Sequence, residues 1–270
     1  MTVVASVQLS LQIGAREANL GLAREAIKLA AAAGAELIVL PELTSSGYVF
    51  ADAAEAARLA ETVDGPSIGE WRALSQQLGV TIVAGFCEQG PGEVLSNSAV
   101  LIENGELKAL YRKAHLWDRE NLIFTPGTDD PPVVECAFGR VAVMICYDVE
   151  FPEWVRTAAL AGADIVAAPV NWPLFPRPKG ERPVDVVRVQ AVASYNRIFV
   201  AIADRCGRER DVDWVGGSVV VDPDGYPVAG PISADRADIL YADVDLMLAR
   251  EKKTSENNHV LTDRRAGVLR

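Results

Sequence analysis

Three side chains in this sequence have the types and settings of a nucleophilic site. Glu42 follows the apolar run Leu37, Ile38, Val39, Leu40 and Pro41; Lys113 follows Leu110, Tyr111 and Arg112; Cys146 follows Val141, Ala142, Val143, Met144 and Ile145. Each lies just past a segment that reads as a strand, and the crevice beyond strand ends is the usual ligand site of α/β sheets. A free thiol has a pKa near ~8.5, so at neutral pH it needs a base or a cation beside it to attack carbon. A carboxylate at Glu42 can take that proton, hand it to a leaving amine and then activate the water that cleaves a thioester. The charge on Lys113 suits the oxygen that turns negative in a tetrahedral intermediate, with a backbone N–H such as that of Tyr147 as the second donor.

Each residue alone has a plainer reading. Glu42 can cap a segment or pair with an arginine, Lys113 can be a solvated surface charge, and Cys146 can be a small buried hydrophobe. Spacing does not show that they meet in space. His115 is the competing base, but enzymes that pair cysteine with histidine in a tight elbow flank the cysteine with glycine. Ile145 and Tyr147 flank it here, so His115 reads as a structural hydrogen-bonding residue. Other chemistries lack their signatures: there is no P-loop, no G-x-G-x-x-G after a strand, no G-x-S-x-G and no paired Cys/His spacing for zinc. The chain has only 2 histidines, which argues against a histidine metal site.

These residues sit in an alternation of strands and helices. Strand-like runs cover residues 3–9, 37–40, 81–86, 98–102, 107–112, 140–145, 165–168, 198–203, 218–221, 226–229 and 239–244, and helical spacing covers 17–33, 67–78, 152–161 and 182–195. Asn104-Gly105 and the Asp222, Pro223, Asp224, Gly225 turn each announce a hairpin. Alternation with two hairpins inserted predicts an α/β sandwich with mixed sheets and helices outside. The two halves loosely echo each other. No linker divides them, so one domain is expected over residues 1–270, with roughly 250–270 as a C-terminal arm or tail.

Bulk properties bound the partners. With 270 residues and 50% hydrophobic content the chain can bury a large core, and its net charge of −11 disfavours nucleic acid and anionic membranes. The first residues show no signal-peptide pattern, and no apolar run reaches the ~18 residues of a membrane span. The 4 cysteines contain no C-x-x-C pair. A cytoplasmic location is expected.

The motifs together resemble the nitrilase superfamily of carbon–nitrogen hydrolases. Pro41 and Glu42 match its first motif. The run from Tyr111 through Lys113 to Leu116 matches the second. Ile145, Cys146, Tyr147 and Asp148, continuing through Phe151, Pro152 and Glu153, match the third. The resemblance implies a four-layer α-β-β-α fold, a Glu42–Lys113–Cys146 triad, no metal or organic cofactor, and a homodimer or larger homo-oligomer. It also implies a second glutamate that orients the lysine. In the segment before Pro126-Gly127 that residue is Glu120. One departure stands out, since many relatives carry a basic residue where this chain has Glu150; that residue faces either a partner subunit or the pocket rim, and a negative rim would disfavour anionic substrates.

Tyr147-Asp148 after the cysteine looks like the amidase branches, whereas true nitrilases resemble one another in carrying Trp-Glu. The expected reaction is hydrolysis of a small, aliphatic carboxamide to acid and ammonia through a thioester. N-carbamoyl compounds and nitriles are the alternative substrates, and a pseudoenzyme that only binds a ligand is the non-catalytic alternative. Tyr147, Asn171 and Trp172 are the expected substrate-binding residues, the last two in a proline-rich aromatic segment that suits a pocket entrance.

Overall fold

The computed structural model describes residues 1–232, 235–265 and 267. In chain order the first half holds β1 (Thr2–Gln8), α1 (Arg16–Ala32), β2 (Leu37–Val39), α2 (Ala53–Leu59), α3 (Pro66–Leu78), β3 (Thr81–Gln89), β4 (Leu95–Glu103) and β5 (Glu106–Arg112). The second half holds β6 (Val133–Cys136), β7 (Gly139–Val143), α4 (Pro152–Leu160), β8 (Ile165–Pro169), α5 (Val184–Asn196), β9 (Phe199–Ala203), β10 (Arg208–Glu209), β11 (Val212–Asp213), β12 (Val219–Val221), β13 (Pro227–Ala229) and β14 (Asp238–Val244). A small hairpin of β15 (Lys253–Ser255) and β16 (Asn258–His259) follows.

Two six-stranded mixed sheets carry the fold, in the orders β14-β1-β2-β3-β4-β5 and β13-β12-β9-β8-β7-β6. In each, three central strands run parallel and the outer strands pair antiparallel. This is the echo between the halves. The short strand β2 explains why it reads as unbroken apolar sequence. Leu37 and Val39 enter the core between the sheets, while Ile38 enters the core under the outer helices α1 and α3. Both faces of the strand are therefore covered, as buried parallel strands require. On the far side α4 and α5 bury Val155, Ala158, Val186, Val189 and Val192 against the second sheet. The layers are thus helix, sheet, sheet, helix.

Local signals set the element ends. Asn104 and Gly105 have φ of 51° and 76°, the left-handed pair that a two-residue hairpin needs between β4 and β5. Gly79 caps α3 at φ 66°, its N–H donating to Ser75 O. The short strands β10, β11, β15 and β16 escape the sequence reading, and so do two longer elements. Helix α2 starts from Asp52, whose carboxylate accepts from Glu55 N, but six of its seven residues are small or charged and show little periodicity. Strand β6 follows two prolines and pairs only at the sheet edge with β7.

The expected C-terminal arm covers residues 250–270, of which 266 and 268–270 lie outside the described residues. Its described part is pinned to the body. Lys252 Nζ donates to the carbonyls of Asn196 and Arg197 at 3.1 and 2.7 Å, and Arg156 Nη1 donates to Val260 O at 2.7 Å. Among the described residues no helix is long and apolar enough to cross a membrane.

Candidate active site

Glu42 and Lys113 leave the same edge of the first sheet, because β5 runs in the same direction as β2 after two antiparallel turns. Cys146 leaves β7 and Asn171 leaves β8 of the second sheet. The two edges face each other: Asn171 Nδ2 donates to Glu42 O at 2.9 Å, and Glu42 N donates to Val170 O at 3.4 Å. Residues far apart in the chain are therefore joined where the sheets meet.

The centre of the site is one ammonium between two carboxylates. Lys113 Nζ donates to Glu42 Oε1 at 2.7 Å and lies 2.8 Å from each oxygen of Glu120. Lys113, Glu42 and Glu120 are all buried. Asn97, on β4, donates through Nδ2 to both Glu42 Oε1 (2.7 Å) and Glu120 Oε1 (3.0 Å). Glu120 Oε2 also accepts from Trp117 N at 2.8 Å. Two oxygens of the set, Glu42 Oε2 and Asn97 Oδ1, have no hydrogen-bond partner in the protein. A buried acceptor without a partner is costly unless something visits it.

Cys146 opens a single 3-10 turn, Cys146–Glu150, at φ 46°. A left-handed backbone on a residue with a Cβ costs of order 1–2 kcal/mol and is tolerated where surrounding structure imposes it. Asp148 imposes it. Its carboxylate accepts from Ile145 N (3.1 Å), Tyr111 Oη (2.8 Å) and His115 N (2.9 Å), and it lies 2.8 Å from His115 Nδ1. His115 stacks on Phe151 with centroids 3.8 Å apart. His115 therefore ties the lysine segment to the cysteine turn and has its ring engaged with Asp148.

Charge and burial set the protonation pattern. Burial pushes the Glu42 carboxyl up to about 7, against the pull of Lys113 and with help from the Glu120 charge. Burial works against the Lys113 ammonium, but Glu120 and Glu42 outweigh it and hold the group well above the ordinary lysine range. Burial, followed by the Glu42 charge, lifts the Cys146 thiol well above its usual value, while Lys113 opposes the rise. At rest the sulfur is a thiol within electrostatic reach of the Glu42 carboxyl, and Lys113 is a fixed cation. A hydrogen bond from Cys146 Sγ to Asn171 O, at 3.8 Å, aims the thiol. This set can move a proton off sulfur and offer a positive charge to a developing oxyanion. Among the described residues no group of three or more His, Cys, Asp or Glu side chains is arranged to hold a metal ion.

Cys146 opens onto a cavity of about 330 Å³. Tyr147, Asn171 and Trp172 line it, together with Tyr48, Trp117 and Glu150. Glu150 is turned to this cavity and paired with Arg188, Nη1 to Oε2 at 2.8 Å. The negative rim expected at this position is thus partly neutralised.

Several site residues escape sequence reasoning. Asn97 carries one usable signal: Ser96, Asn97 and Ser98 form a buried polar run inside an otherwise apolar strand. Tyr48 has none. Its phenol is buried within electrostatic reach of Glu120 and Glu42, and burial together with their charges raises it well above the usual tyrosine range. The amides of Tyr48 and Val49 donate to Glu209 Oε2 at 2.9 and 2.7 Å. Glu209 is in turn paired with buried Arg205, whose guanidinium sits 4.5 Å over the Trp214 ring. Trp214 meets Tyr48 edge-on at 5.4 Å. A buried ion pair thus holds the Tyr48 segment against the site.

Close approach of backbones sets a further constraint. A Cβ placed on Gly85 of β3 lies 2.7 Å from both Glu42 Cα and Leu43 N. Gly85→Ala is expected to displace the Glu42 segment and lower stability by about 1–3 kcal/mol, read by thermal melting. An unchanged melting temperature would show that the segment has room to spare.

The carbon–nitrogen hydrolase family profile matches residues 3–254. The chain is 36% identical to a nitrilase of Pyrococcus abyssi over 98% of both chains. It is 33% identical to an (R)-stereoselective amidase of a Pseudomonas species, over 96% of this chain and 90% of the relative. Among solved structures, a variant of the amidase from Nesterenkonia sp. AN1 superposes with a TM-score of 0.82 at 29% identity, covering 99% of this chain and 98% of that one. In that structure acrylamide has added to the active-site cysteine by Michael addition.

Proposed function

Because the chain belongs to the carbon–nitrogen hydrolase family, and is thus a hydrolase acting on non-peptide carbon–nitrogen bonds, we propose that it cleaves a small carboxamide to acid and ammonia through a thioester on Cys146. The observation that carries this reading is the buried Lys113 ammonium bridging Glu42 and Glu120, groups whose charges all reach the Cys146 sulfur. The amidase names among its relatives support the choice of amide.

The geometry supports the following steps. Glu42 takes the Cys146 proton as sulfur attacks the carbonyl carbon. The oxygen turns negative between Lys113 Nζ and the Tyr147 N–H, and two fixed donors are worth most in such a dry site. Collapse of the intermediate expels the nitrogen, which receives the proton from Glu42 and leaves as ammonia. Glu42 next takes a proton from water, whose oxygen attacks the thioester. The second intermediate collapses to the acid, and the proton on Glu42 returns to sulfur. Glu120 and Asn97 keep Lys113 and Glu42 in register, and Asn171 and Trp172 wall the acyl group. One base serves both halves, so its affinity for a proton must lie near the working pH.

A homodimer is proposed as well, supported by Val187 and Tyr195, which leave large apolar side chains exposed on α5. A reducing, cytoplasmic setting is supported by the four free cysteines.

The test is ammonia release from a panel of simple amides, N-carbamoyl amines and nitriles, measured as kcat/KM. Amides are expected to lead by tenfold or more, on the order of one hydrogen bond of transition-state energy. Nitriles or N-carbamoyl compounds leading instead would replace the proposed substrate class.

A further inference from the structure

Beside the reacting centre, the same cavity carries a charged group that the chemistry above does not use. Glu150 lies in the turn that Cys146 opens, while Asp185 and Arg188 lie in the first turns of α5, and all three line the cavity with Cys146. Arg188 Nη1 lies 2.8 Å from Glu150 Oε2 and 3.5 Å from Asp185 Oδ1. The two acids are largely buried, with side-chain exposures of 19% and 14%, and the arginine is 44% exposed. Two carboxylates thus share one guanidinium nitrogen, leaving the group one negative charge in excess.

Other walls of the cavity are also incompletely paired. Asn171 and Trp172, 1% and 2% exposed, line it, and their Oδ1 and Nε1 atoms have no hydrogen-bond partner in the protein. Buried polar atoms in that state are satisfied when a ligand or water occupies the space. The cavity thus has a reacting end at Cys146, polar walls and a charged rim.

Resting on the amidase reading, we propose that Glu150, Asp185 and Arg188 form a head-group subsite, and that it takes amides bearing an ammonium group remote from the reacting carbonyl. The group's charge decides the sign. A compact ammonium carries three donors and can bond to carboxylate oxygens that Arg188 leaves unengaged. A carboxylate must approach Arg188 across two like charges, a repulsion that partial burial screens only weakly. Burial also holds both acids above their ordinary range, Arg188 working the other way in each case. That is the condition of anions short of cationic partners.

The experiment compares kcat/KM for ω-aminoalkanamides, alkanamides and dicarboxylic acid monoamides matched in chain length, by ammonia release. The ammonium series is expected to exceed the neutral series by about tenfold, the worth of one charge-assisted hydrogen bond. The carboxylate series is expected to fall below the neutral one. Glu150→Gln is expected to bring the ammonium-to-neutral ratio toward one. Arg188→Gln, which raises the excess negative charge, is expected to increase that ratio several-fold. These opposite signs keep the test decisive even if one variant fails to fold. A leading carboxylate series, or ratios unmoved in both variants, overturns the subsite while neutral amide turnover leaves the amidase reading standing. No ammonia from any amide overturns both.

Discussion

Replacing Cys146 by alanine is expected to end ammonia release, with a loss on the order of 10⁴-fold or more, while the protein keeps its fold. Losing a covalent nucleophile commonly costs that much, and the remaining groups cannot replace the bond it forms. Alanine keeps the left-handed backbone at φ 46°, which Asp148 and its partners hold, so the melting temperature is expected to change little. The same variant should lose the covalent adduct. Acid-quenched wild type incubated with an amide is expected to gain the mass of the acyl group, and Cys146→Ala is expected to gain nothing. Turnover retained in the variant would reject the thioester path. Haloacetamides sharpen the measurement because they are shaped like the proposed substrate. Burial pushes Cys87 and Cys136 up to about 12 and Cys206 up to about 11. Cys146 is itself a thiol at rest. Its expected priority in labelling therefore comes from binding beside Glu42, with ionisation following the arrival of the electrophile.

The legible parts of this protein are those in which local chemistry and tertiary setting agree. Residues 37–39 read as a doubly covered strand because one face meets the second sheet and the other meets helices. Asn104-Gly105 reads as a hairpin because both residues must be left-handed there. Glu42, Lys113 and Cys146 stand out in sequence because each ends an apolar run. Asn97 does not stand out, since it belongs to a strand and acts only where β4 crosses the gap between Glu42 and Glu120. Tyr48 is placed by Glu209, some 160 residues downstream, and no local pattern reports a partner that far away. Arg188 is the same kind of case. It is the one arginine of α5, with no local pattern to mark it, and only the packing of α5 on the cysteine turn makes it the partner of Glu150. Strand ends announce reactive groups, whereas the residues that orient them are visible only after the sheets have met.

Glu42→Gln is expected to lower kcat/KM by roughly 10²–10⁴-fold and to remove its dependence on pH near neutrality. In the wild type the base must be a carboxylate to accept the Cys146 proton. Its proton is lost near 7 because burial raises it there against Lys113. The wild-type rate is therefore expected to climb about tenfold per pH unit below that value and to level off above it, since a single deprotonation controls it. Stability is expected to run the other way. Between the ordinary glutamate value of 4.5 and about 7, the folded protein keeps this proton while the unfolded chain loses it, so stability falls as pH rises through the window. Glutamine cannot ionise, and the variant is expected to lose that part of the slope. Asp204, also held near 7 by burial, keeps its own share in both proteins. Opposite pH trends in rate and stability, both reduced by one isosteric change, would identify the carboxyl that does the chemistry as the one whose burial costs the fold. A wild-type rate flat from pH 5 to 8 would place the proton elsewhere and remove Glu42 as the base.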